Sequence, residues 1–141
     1  RRAAIRAEEA GVGSQVDGLA MDLLDHTQTF PGPVDAVWMS QLLSCFSEAD
    51  CVALMRRAAA ALGPQGELLI LENFWDQQRY TAASESLQQI SLYFTTIANG
   101  TSRIYSAAAL NCCLAEAGLH VVEEVRNIGA GHTFWRCRPE A

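Results

Sequence analysis

Val34-Asp35-Ala36-Val37-Trp38-Met39 and, further along, Gly66-Glu67-Leu68-Leu69-Ile70-Leu71-Glu72 are the two stretches whose reading decides the fold. Each is an apolar run too short for a helix and bounded by polar residues, the pattern of a strand buried on both faces of a parallel sheet. Between them, Ser47-Glu48-Ala49-Asp50 places an acid three residues after a hydroxyl, which marks a helix N-terminus. Val52, Met55, Ala59 and Leu62 then recur at helical spacing as far as the Gly63-Pro64 stop. Strand, helix and strand in this order make a βαβ crossover. Strands joined in this way open a ligand crevice at their carboxyl ends, so Met39-Ser40-Gln41 and Glu72-Asn73 are the first places to look for function.

Outward from this unit, residues 1–10 are rich in Ala, Arg and Glu and stop at Gly11 and Gly13, as a helix does. Residues 16–24 predict a further strand with Asp22 at its carboxyl end, and Phe30-Pro31-Gly32-Pro33 forms the loop behind it. Beyond Glu72, residues 74–80 read as a loop. Residues 82–97 predict a helix with Leu87, Ile90, Phe94 and Ile97 on one side. Asn99-Gly100 is a turn. Ser106 caps a helix over residues 107–117, which Gly118 ends. Residues 119–125 and 132–138, reversed through Asn127-Ile128-Gly129-Ala130-Gly131, predict a closing antiparallel hairpin. No repeat or low-complexity linker interrupts the chain, which reads as one structural unit.

Composition narrows the function. The 141 residues fit one domain, and half are apolar, enough for a core. There are 16 Asp+Glu against 10 Lys+Arg, with the basic residues scattered apart from the Arg1-Arg2 and Arg56-Arg57 pairs. Phosphate backbones need a positive stripe, so nucleic acid is disfavoured as a partner. Five cysteines without framework spacing predict a reducing, cytoplasmic setting, and the adjacent Cys112-Cys113 pair matches no metal pattern. No run is long enough to span a bilayer. The start at Arg1, without an initiator Met, reads as a piece of a longer protein.

Five pieces carry a resemblance: Met21-Asp22-Leu23-Leu24, Asp35-Ala36-Val37-Trp38-Met39-Ser40, Leu43-Ser44-Cys45-Phe46-Ser47-Glu48, Leu68-Leu69-Ile70-Leu71-Glu72 and Ala98-Asn99-Gly100-Thr101-Ser102-Arg103. In their order and spacing they resemble the carboxyl two-thirds of the S-adenosylmethionine-dependent methyltransferase domain, narrowly the bacterial relatives of the small-molecule, plant caffeate-type O-methyltransferases. The resemblance implies an α/β fold: a Rossmann-like, mostly parallel sheet with a carboxyl-terminal antiparallel hairpin, incomplete at its amino terminus. Residues 1–141 would form one catalytic-domain piece. It further implies S-adenosylmethionine as cofactor, a small-molecule acceptor and a possible homodimer in the full-length protein.

Residue by residue, the resemblance places Asp22 and Leu23 at the adenine, Met39 and Ser40 along the cofactor cleft and Phe46 beside it. Tyr93, Asn99 and His132 fall in the region that faces the acceptor. Five of these have a plainer reading: a turn-capping acid for Asp22, core packing for Met39 and Phe46, a turn residue for Asn99, a structural histidine for His132. Core packing is also the reading of Phe94. His26 reads as solvated, and His120 as an unremarkable residue at the start of a strand.

Two departures bear on chemistry. Where the family's Leu-His-Asp-Trp segment supplies a histidine base, Ser44 stands, and a serine hydroxyl is no general base near neutral pH without a partner. Where its Gly-Lys-Glu-Arg segment supplies an acid, Ser102 stands. Methyl transfer remains feasible by alignment alone, because the sulfonium carbon is already electrophilic. An ionised acceptor, or a nitrogen or carbon nucleophile, relaxes the need for a base. The family's glycine-rich turn and ribose-binding acid would lie before Arg1, so these 141 residues are expected to bind the cofactor weakly or not at all. Two other classes stay open: a catalytically silent binding or dimerisation domain, and a nicotinamide-dependent reductase, which the hairpin and the lack of a Tyr-x-x-x-Lys pair disfavour.

Overall fold

The computed structural model describes residues 2–97 and 100–140. Eight principal elements follow one another: α1 (Arg2–Glu9), β1 (Val34–Ser40), α2 (Glu48–Ala61), β2 (Leu62–Glu72), α3 (Thr81–Ile97), α4 (Ala107–Glu116), β3 (Leu119–Ile128) and β4 (His132–Pro139). Short 3-10 turns at Gly13–Gln15, Leu43–Cys45 and Trp75–Gln77 lie between them.

The βαβ unit forms as expected, with β1 parallel to β2 in a register that sets Trp38 opposite Leu69 and Met39 opposite Ile70. The sheet order is β1-β2-β4-β3. β4 runs antiparallel to both β2 and β3, so the closing hairpin also forms as predicted. A mostly parallel sheet is not what the described residues build, since only β1 with β2 is parallel.

The expected strand over residues 16–24 is absent, and the stretch is irregular. A strand exists only when its peptide groups find a neighbour, and no strand of the described sheet pairs with this one. Val16, Leu19 and Leu24 are left at 48%, 67% and 54% exposure, which burial in a parallel sheet would have removed.

Local chemistry accounts for the helices that form where the sequence predicts them. Ser47 Oγ accepts from Asp50 N at 3.2 Å and donates to Asp50 Oδ2 at 2.5 Å, closing the start of α2. Ser106 Oγ accepts from Ala109 N at the start of α4, and Asp76 Oδ1 accepts from Ala107 N beside it. Gly118, at φ 76°, ends that helix in the left-handed conformation that glycine adopts without strain.

α2 and α4 pack together over one face of the sheet. Met39, Leu68, Ile70, Trp135 and Cys137 point into this core and meet Met55, Leu110 and Leu114, with Phe74 and Trp135 rings 4.6 Å apart. The opposite face is less covered, contrary to the reading of strands buried on both sides. Trp38 is 54% exposed and stacks on Phe134 at 6.1 Å, beside the half-buried Leu69 and Leu71.

α3 is rotated away from its expected pose. Its inward side carries Ser91 and Thr95, whose side chains bond Ile104 N and Ser102 O. Of the four expected face residues Leu87 is half-buried, whereas Ile90, Phe94 and Ile97 face outward, and Phe94, expected in the core, is 40% exposed.

Candidate functional site

The carboxyl ends of β1 and β2 lie side by side because the strands are parallel, and the β3–β4 turn reaches the same rim because β4 is antiparallel to β2. This rim is where an open α/β sheet presents a ligand crevice. At its centre the chain leaves β1 through Gln41, which has φ 48° and donates from its N–H to Leu71 O at 2.8 Å. Leu42 N and Leu43 N then both donate to Glu72 Oε1 at 2.8 Å, so the last residue of β2 holds the turn after β1 in place.

Glu72 is buried and its carboxyl is pushed up to about 7, because loss of hydration outweighs the bonds from Leu43, Leu42 and Ser44 N–H groups that favour the anion. A carboxyl that changes charge near neutrality at a ligand rim is a marker of function. The sequence singles out Glu72-Asn73 by position without giving Glu72 a role. The signal it does carry is a charged residue closing an otherwise apolar strand.

The turn that Glu72 anchors is stitched on its other side to residues 102–105. Ser44 O accepts from Arg103 N at 2.9 Å, Cys45 O from Ser102 Oγ at 3.2 Å, and Phe46 O from Tyr105 Oη at 2.7 Å. Three consecutive carbonyls thus meet three groups from a segment more than fifty residues away in sequence. Arg103 spans the same seam, 2.5 Å from Glu48 and 4.8 Å from the Tyr105 ring. Ser44 and Ser102, the two departures from the family's pattern, therefore lie on the two sides of this seam, with Ser44 N–H also bonded to Glu72. Neither supplies a base. The nearby Cys51 is no nucleophile either, since burial pushes its thiol up to about 12.

The expected site residues divide. Met39 is buried in the core, Ser40 is exposed at the rim and Phe46 is half-buried in the stitched turn, so these three share one place. Asp22 and Leu23 do not end a strand. Asp22 Oδ1 accepts from Leu24 N at 3.0 Å in a local turn, and Leu23 O accepts from Arg57 Nη1 on α2 at 2.9 Å. Arg57 also stacks on Phe30 at 4.3 Å, and His26, expected to be solvated, lies 3.0 Å from Asp50. The 21–30 loop is thereby held along α2. Tyr93 is 57% exposed on α3. His132 opens β4 at the rim, half-buried, with Nε2 shielded from solvent and lacking a hydrogen-bond partner among the described residues. Asn99 lies outside the described residues.

A profile of the O-methyltransferase domain family matches residues 3–120. Among solved structures, a mitomycin 7-O-methyltransferase superposes with a TM-score of 0.82 at 20% identity, over 98% of this chain and 38% of its own. An O-methyltransferase from neocarzinostatin biosynthesis, in complex with S-adenosyl-L-homocysteine and 1,4-dihydroxy-2-naphthoic acid, gives 0.78 at 21% identity, over 98% and 38%. An O-methyltransferase family protein from Burkholderia thailandensis gives 0.77 at 19%, over 99% and 40%. At these identities the likeness is one of fold, and the chain spans 38% to 40% of the length of these proteins.

Proposed function

The chain belongs to the O-methyltransferase domain family, and from that premise we propose that it is part of an S-adenosylmethionine-dependent methyltransferase acting on a small-molecule acceptor, in the first instance an oxygen. Its donor cleft is assigned to Met39, Ser40 and Phe46 at the β1 rim, with Asp22 and Leu23 meeting the adenine. Tyr93, Asn99 and His132 are assigned to the acceptor side. A homodimer of the full-length protein is part of the same proposal.

The observation that carries this reading is the seam at the rim, where the turn after β1, residues 102–105 and the buried Glu72 converge. Bound S-adenosylmethionine would supply an electrophilic methyl group. This chain's residues would position the acceptor and exclude water, while Glu72 holds the 42–44 turn in register. With serine at positions 44 and 102, the acceptor that suits the site is already ionised or is an amine. The same two serines support a second reading, in which the domain keeps the fold and binds without catalysis.

Amide NMR with S-adenosylhomocysteine tests the donor assignment, because shifts register even weak binding. Measured on the full-length protein, saturable shifts concentrated at residues 39–46 and 72 support it, and their absence at high ligand concentration removes it. Incubation with methyl-labelled cofactor and panels of phenols and amines then separates the readings: labelled product supports transfer, whereas binding without product supports the silent domain.

A further inference from the structure

We propose that the cavity between the glycine turn of the β3–β4 hairpin and the chain entering α3 binds the carboxylate of a small aromatic acid. The site is separate from the seam around Glu72 and does not depend on the methyl-transfer reading.

The cavity holds about 340 Å³, at the lower end of the range of small-molecule pockets. Arg79 and Tyr80 form one wall, and Asn127 with the turn through Gly129 and Gly131 forms the other. No acidic side chain lines it, although the chain carries 16 Asp+Glu against 10 Lys+Arg. Arg79, like Arg6 and Arg57, makes no ion pair among the described residues, whereas Arg56, Arg103, Arg126, Arg136 and Arg138 each meet a carboxylate. Its planar guanidinium is thus left to grip an incoming carboxylate through two parallel N–H bonds.

The remaining lining suits a flat ring. The Tyr80 ring is 63% exposed and lies 5.3 Å from the Arg79 guanidinium, so a cation and an aromatic face stand together. Asn127 adds an amide. Glycine has no side chain, so Gly129 and Gly131 contribute only peptide groups to the wall.

The two walls are tied in advance of any ligand. Gln78 Nε2 donates to Gly131 O at 3.0 Å and to Phe74 O at 2.8 Å, pinning the turn to the chain before α3. Gly131 permits the approach: its φ is 97°, and an added Cβ would clash with Gln78 Oε1. A cavity assembled in advance spares the ligand the ordering cost of building it.

The test is titration of benzoate into the isotope-labelled 141-residue chain, followed by amide NMR, with benzyl alcohol and inorganic phosphate as parallel arms. Saturable benzoate shifts at residues 79–83 and 127–131, weakened about tenfold or more in Arg79→Ala, are the expected result. Arg79 is exposed, so the variant's spectrum elsewhere should match the parent and report an intact fold. Shifts that do not saturate, that are unchanged in R79A, or that benzyl alcohol reproduces would overturn the site. Phosphate binding as tightly as benzoate would overturn the aromatic-acid assignment.

Discussion

Glu72 couples the fold to pH in an unusual direction. Most folded carboxyls bind their proton less tightly than in the unfolded chain, but burial raises Glu72 from an ordinary 4.5 to about 7. Between those values the folded state holds a proton that the unfolded state releases, so stability falls as pH rises from about 4.5 through 7 and levels off above. The upper bound on this loss is on the order of 3 kcal/mol. Glu72→Gln keeps an oxygen for Leu42 and Leu43 N–H without the charge. Its denaturation midpoint should therefore exceed the parent's at pH 8 and match it near pH 4.5, and a difference that does not depend on pH would refute the argument. Asp22 teaches the complementary lesson at this scale, because its carboxylate serves its own turn at Leu24.

At the scale of elements, α3 shows what periodicity leaves open. Spacing identifies a helical face, but rotation is decided by what the neighbouring chain offers, here the bonds of Ser91 to Ile104 N and Thr95 to Ser102 O. Phe94→Ser on α3 should therefore change stability by no more than about 0.5 kcal/mol, as an exposed substitution does. Leu110→Ala in the fully buried α4 core should cost about 2–5 kcal/mol. Urea denaturation of both variants checks the contrast, and a comparable loss in the Phe94 variant would place α3 against the core. The reverse case is α2, where cap, period and stop all act within a few residues and the element is legible in the sequence alone.

For the whole molecule, the sheet order among the described residues makes β2 and β4 central and leaves β1 paired along one side only. Exchange protection follows pairing. Amides of residues 68–71 and 134–137 should exchange at least about tenfold more slowly than the alternate amides of β1 that point away from β2. Uniform protection along β1 would mean that something covers its outer edge. The same topology brings the hairpin turn to the rim of the parallel pair, and so places the Glu72 seam and the Arg79 cavity at one end of the molecule.

Sequence by itself determined the βαβ unit, the capped helices α2 and α4, the closing hairpin and the family. Each rests on signals that act over a few residues, such as a hydroxyl capping the next turn, an apolar period or a glycine stop, or on the order in which such pieces recur. Only the tertiary structure decided that residues 16–24 form no strand, that α3 turns Ile90, Phe94 and Ile97 outward, that the segments holding Ser44 and Ser102 are stitched together, and that Glu72 holds its proton to neutral pH. Strand pairing, helix rotation and proton affinity are set by partners distant along the chain and by the water they exclude. No local stretch carries that information.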